Sequence, residues 1–150
     1  MLEDGDFTIF ESAAIATYLA DKYSRFIPAA GTKARALHDQ WLFAAVANYE
    51  FNAVRVFACD VFFEAGTETD AKRKGALEIL EAWLPPLEKH LAQSAYLSGV
   101  EFQVCDVMLT TILRHLTERE YLAGYPATAA YVKKNMARPA FRRAHEKNGG

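Results

Sequence analysis

Strand-forming pattern is almost missing from this sequence. Alternation that fits β-structure is confined to the first ten residues, and everything after residue 31 reads as helix. Cysteine is scarce as well. Cys59 and Cys105 lie far apart in apolar surroundings, which predicts two reduced, buried thiols rather than a disulfide. No apolar run approaches the ~20 residues of a membrane span. The opening Met1-Leu-Glu-Asp-Gly-Asp6 lacks the basic and apolar regions of a signal peptide, so a cytoplasmic location is expected. With 17 Lys and Arg against 19 Asp and Glu, the net charge is −2, and no basic excess exists to attract nucleic acid or an anionic membrane. His38, His90, His115 and His145 show no ligand spacing with cysteines or carboxylates, so no metal site is expected. No Ser-His-Asp or Cys-His arrangement for nucleophilic catalysis can be argued.

What is present is an ordinary globular balance, 51% apolar and 24% charged, in 150 residues. That length holds one domain with a sizeable core, or one domain plus a fragment. Residues 2–10 fit two short strands about Gly5. From Ser12 the period becomes helical, with Ile15, Leu19 and Tyr23 at i, i+4 and i+8. The segment Phe26-Ile-Pro-Ala-Ala-Gly31 reads as a connector. Thr32 then caps a long helix to about Glu64, on which Leu37, Trp41, Ala44, Ala45, Asn48, Phe51, Asn52 and Val54 follow helical spacing. A second long helix runs from about Asp70 to Gln93, and Pro85-Pro86 should kink or split it. Further helices are expected over Val104–Glu118, Ala127–Met136 and Pro139–Lys147.

The sharpest chemical feature is Glu11-Ser12, at the junction of the second strand and the first helix. The free N–H groups of a helix start make an anion site, and a hydroxyl and a carboxylate stand beside them. The plain structural alternative is an ordinary helix start, with Thr8 to Glu11 as a capping box or Ser12 as the N-cap. On the long helix, the face bearing Asn48, Tyr49, Asn52 and Arg55 fits either a substrate pocket or a half-buried or subunit-contact face. The cluster Val56-Phe57-Ala58 with Val61-Phe62-Phe63 reads as core or interface, and Lys72-Arg73-Lys74 as a solvated face.

Three stretches carry a family resemblance. The run Glu3-Asp-Gly-Asp-Phe-Thr-Ile-Phe-Glu-Ser-Ala-Ala-Ile15, followed by Tyr18-Leu19, resembles the end of the glutathione-binding domain of glutathione transferases. Tyr96-Leu-Ser-Gly99, with Phe102-Gln-Val-Cys-Asp-Val107, looks like that family's second signature. There a Ser or Thr caps a buried helix, an Asp three residues on closes the capping box, and flanking apolar residues form a staple. Asp106 is in place, and Phe102 and Val107 can form the staple, but Gln103 stands where Ser or Thr is usual. Losing a good N-cap costs roughly 0.5–2 kcal/mol. The end, Tyr125-Pro126 through Arg138-Pro-Ala-Phe141, is similar to the family's closing pattern. The three stand in the family's order and cover the whole chain.

The resemblance implies a mainly α protein: a β-hairpin and helix from a thioredoxin-like α/β domain over 1–24, a linker over 25–31, and an all-helical bundle over 32–150. It implies glutathione as co-substrate, a small electrophile as its partner in reaction, and a homodimer. In such a site the Ser12 hydroxyl and helix N–H groups hold the γ-glutamyl carboxylate, and Glu11 pairs with the ammonium group. The family's catalytic Tyr, Ser or Cys sits earlier, at the start of the thioredoxin-like domain, so no catalytic residue is named. The matching run begins at residue 3, which predicts a truncated form that binds glutathione weakly or not at all. An internal bacterial start, with Met1 in place of the usual Val, is one expected origin. The alternative is a non-enzymatic helical module of the same family used for protein–protein assembly.

Overall fold

The computed structural model describes residues 1–148. β1 (Leu2–Asp4) and β2 (Phe7–Ile9) form the expected hairpin, antiparallel, with Leu2 opposite Ile9 and Asp4 opposite Phe7. Gly5 opens its two-residue loop at φ 66, a conformation that a side chain would strain. A lone hairpin is marginal in water, and α1 (Ser12–Tyr23) holds this one. Tyr18 donates its hydroxyl to Asp4 Oδ2 at 2.6 Å, and Lys22 pairs with the same oxygen. The Phe7 and Tyr18 rings lie 5.4 Å apart.

The connector after α1 is tied on both sides. Arg35 grips Asp21 at 2.9 and 3.0 Å and Asp39 at 2.9 Å, joining α1 to α2 (Lys33–Ala44). The Val104 N–H, an orphan donor at a helix start, finds the Phe26 carbonyl at 2.9 Å. Thr32 caps α2 as expected, accepting from the Arg35 N–H at 3.1 Å.

The long helix departs from a regular one. It passes through a π-helical segment, Ala45–Glu50, before α3 (Phe51–Val61). An extra residue in a turn rotates the following face by about 100° relative to a regular helix. His38, Leu42, Ala45, Tyr49, Asn52, Ala53, Val56 and Cys59 are buried, whereas Leu37, Phe51 and Val54 are exposed. The face read from spacing therefore straddles the true one. Its outer side is itself apolar, with Phe43, Phe51 and Phe62 exposed at 69%, 67% and 72%, so the hydrophobic period has two solutions.

The second long helix is split outright into α4 (Thr67–Leu80) and α5 (Leu84–Leu91). Pro85 and Pro86 fall in the first turn of α5, where a missing N–H costs no intrahelical bond. Across the break, Tyr49 donates its hydroxyl to the Trp83 carbonyl at 2.8 Å, and burial pushes that phenol up to about 12. Arg73 corrects the reading of its stretch. Lys72 and Lys74 are exposed, but Arg73 is half-buried, with Nε on Asp60 Oδ1 at 2.7 Å and Nη1 on Asp70 Oδ1 at 2.7 Å. Asp60 also accepts from Tyr121 at 3.2 Å and pairs with His115 Nε2 at 2.7 Å, so one carboxylate joins α3, α4 and α6 (Val104–Glu118).

α6 is the central helix. Leu109, Leu113 and Leu116 are fully enclosed, with α2 and α3 on one side and α7 (Pro126–Met136) on the other. α8 (Pro139–Lys147) packs on α7. The start of α6 survives the loss of a Ser or Thr cap because Asp106 serves as the anchor. Its carboxylate accepts from the Gln103 N–H at 2.8 Å, the Leu97 N–H at 2.9 Å and the Tyr131 hydroxyl at 2.7 Å. The Gln103 side chain turns instead to the Ser98 hydroxyl. Among the described residues no helix is long and apolar enough to cross a membrane.

Candidate functional site

The first turn of α1 is open. Glu11 occupies the N-cap position at φ 73 and ψ 120, left-handed space that a non-glycine residue enters only at a cost of about 1–3 kcal/mol. Ser12 is the first helical residue, and neither side chain caps the helix. The only bond closing this turn is the Ile15 N–H to the Glu11 carbonyl at 2.9 Å, which leaves the N–H groups of Ser12, Ala13 and Ala14 for a partner from outside. Glu11 and Ser12 are both exposed. No acidic residue lies within the first turn of α1 to satisfy its positive end. A strained residue that makes no cap, followed by a free hydroxyl and free donors, suits an anion with a cationic neighbour: donors for the first, the Glu11 carboxylate for the second.

The long helix distributes its candidates differently. Tyr49 is buried and points its hydroxyl at Trp83. Asn52 is buried, with Oδ1 unpartnered. Arg55 is exposed and lies over the Phe51 ring at 5.5 Å. These three side chains are not brought together around one cavity.

A concave site does exist elsewhere. Between α6, the end of α7 and α8 lies a cavity of about 430 Å³ whose walls include Phe26, Phe102, Val107 and Phe141. Phe102 and Val107, the expected staple, both face it. So do Asn135 and Arg138, which sequence reading passed over. Arg138 reads there only as the residue ahead of a helix-starting proline. The available signal was their spacing, three residues apart on one helical face.

Comparison with known proteins follows the same outline. A family model described as "Glutathione S-transferase, C-terminal domain" matches residues 35–139. The chain is similar to glutathione S-transferase 4 of Zea mays, 31% identical over 146 residues, covering 93% of this chain and 66% of that protein. It is also similar to glutathione S-transferase F9 of Arabidopsis thaliana, 32% identical over 146 residues, covering 88% of this chain and 60% of the relative. Among solved structures, apo glutathione S-transferase III superposes with a TM-score of 0.80 at 29% identity, covering 94% of this chain and 68% of that one. The chain thus spans 60–66% of the length of those two curated relatives.

Proposed function

The chain belongs to the glutathione S-transferase family, and from that premise we propose that Glu11, Ser12 and the open start of α1 hold the amino-acid end of glutathione. The γ-glutamyl carboxylate takes the Ser12 hydroxyl and the N–H groups of the first turn, and its ammonium group pairs with Glu11. The observation that carries this reading is the uncapped, strained start of α1. Residues 1–24 form the end of a thioredoxin-like domain, 25–31 a linker and 32–150 the helical domain. The reaction of the whole protein is conjugation or reduction of a small electrophile by glutathione, and the group that activates the thiol is assigned to no residue of this chain. The exposed apolar face of α2 and α3 suits a homodimer. Two buried free thiols suit the cytoplasm.

The test is a titration of the ¹⁵N-labelled chain with glutathione and, separately, with cysteinylglycine, which lacks the γ-glutamyl head. Glutathione should bind weakly and shift the amides of Ser12, Ala13 and Ala14, whereas cysteinylglycine should not. Ser12→Ala should remove most of the response. Equal shifts from both peptides, or shifts elsewhere, would defeat the assignment.

A second reading, a non-enzymatic assembly module, is favoured by the same apolar face of α2 and α3. Absence of any glutathione response, together with tight self-association, would select it.

A further inference from the structure

We propose that the cavity between α6, the end of α7 and α8 is a binding site for a small apolar acid that carries a hydrogen-bond donor. The site shares no residue with the start of α1, so its test and the glutathione test fail separately.

Three observations support it. The volume, about 430 Å³, falls in the range of small-molecule pockets, and the walls are mostly aromatic and aliphatic. The lining contains cations and no carboxylate: Arg114, Arg138 and His145 face the space, and no Asp or Glu does. Arg114 spends Nη1 on His145 Nδ1 at 2.8 Å. Arg138 is half-buried, stacked on the Phe102 ring at 3.7 Å, and has no ion-pair partner among the described residues. A guanidinium laid on an aromatic wall and free of carboxylates is set for an incoming anion.

The third observation lies at the inner wall. Asn135 is 1% exposed and gives Nδ2 to Thr110 Oγ1 at 3.1 Å, while its Oδ1 is buried without a partner. A buried unpaired carbonyl costs about 1–3 kcal/mol, and nothing else in the fold relieves this one. A ligand donor reaching Oδ1 while its acid group meets Arg138 would satisfy both ends of the cavity. The apolar body would replace water against Phe26, Phe102 and Phe141.

Isothermal titration of the full chain with naphthalene-2-carboxylate and with naphthalene-2-methanol tests the charge. The acid should bind once per chain and about tenfold more tightly than the alcohol, the scale of one charge-assisted hydrogen bond. Arg138→Gln should bring the acid to the level of the alcohol and leave the alcohol unchanged. Ala144→Leu, which fills the cavity, should weaken both. 6-Hydroxynaphthalene-2-carboxylate should bind several-fold more tightly than the parent acid, through the donor it offers Asn135. Amide shifts should cluster at Val107, Thr111, Phe141 and Ala144. Equal binding of acid and alcohol overturns the proposal, as do shifts on the α2–α3 face or at the hairpin. Cavity amides that move on dilution without ligand overturn it too, because a second copy would then be the occupant. If Arg138→Gln unfolds, the contrast between acid and alcohol on the unaltered chain decides alone.

Discussion

The Tyr131 hydroxyl donates to Asp106 Oδ1 at 2.7 Å, binding the middle of α7 to the first turn of α6 inside the core. Burial first, and the Asp106 charge second, push that phenol well above its usual range, so it stays a donor. Asp106 also takes two backbone N–H groups, and all three donors would be stranded without it. Asp106→Ala should cost about 3–5 kcal/mol and Tyr131→Phe about 1–3 kcal/mol. The double variant should cost less than the sum, because both remove the same bond. Urea denaturation of the four proteins measures this, and strict additivity would mean the two residues do not act together.

The Asp60 network makes stability depend on acid. Burial alone would raise that carboxyl, but bonds from His115, Arg73 and Tyr121 outweigh it and hold it below the usual range. A carboxylate whose folded pKa lies below its unfolded value of about 3.9 contributes stability above that pH and loses it as pH falls through the folded pKa. Stability should therefore decline below about pH 4. Asp60→Asn should flatten that decline while lowering stability at neutral pH. Chemical denaturation at a series of pH values checks it; an unchanged acid slope would assign the decline to other carboxylates.

The sequence carried more of the fold than of the site. Hairpin, caps, the proline break and the last three helices were legible because each is signalled locally, by Gly5, Thr32, Pro85-Pro86 or Asp106. The π segment was not, since Ala45–Glu50 contains nothing that breaks a regular helix and the apolar residues on two faces conceal the change of phase. Arg73 looked solvated because its partner, Asp60, lies on another helix. Glu88 is a similar case: it caps α7 from α5, accepting the Ala127 and Thr128 N–H groups at 2.8 Å each. Glu11 and Ser12 were found by residue type and position, but the strained backbone at Glu11 has no signature in the sequence.

Both thiols should be silent in the folded protein. Cys59 and Cys105 are free and buried, and burial, followed by the Asp106 charge, pushes the Cys105 thiol up to about 12. A thiolate is the reactive species, so neither should react with a disulfide reagent at pH 8 until the chain unfolds. Two thiols should then titrate in denaturant, and fast reaction without denaturant would refute the burial.

The outer face of α2 and α3 should set the oligomeric state. Phe43, Phe51 and Phe62 are exposed along it and Val54 lies beside them, while none of the four is counted in the core. Phe51→Glu should therefore leave the fold intact. It should weaken dimerisation at least about tenfold, the effect of a charge placed at an interface anchor. Sedimentation velocity reads the change, and an unaltered dimer would move the interface to another surface.

Glu11 separates stability from binding. Its φ of 73 is strained for a side chain and free for glycine, so Glu11→Gly trades relief of that strain against the extra freedom of glycine in the unfolded chain. Stability should change by less than about 1 kcal/mol in either direction. The response of the Ser12 and Ala13 amides to glutathione should still fall sharply, because the carboxylate facing the ammonium group is gone. Were Glu11 held in that conformation by packing alone, Glu11→Gly would leave the glutathione response intact, and the strained backbone would have no link to the ligand.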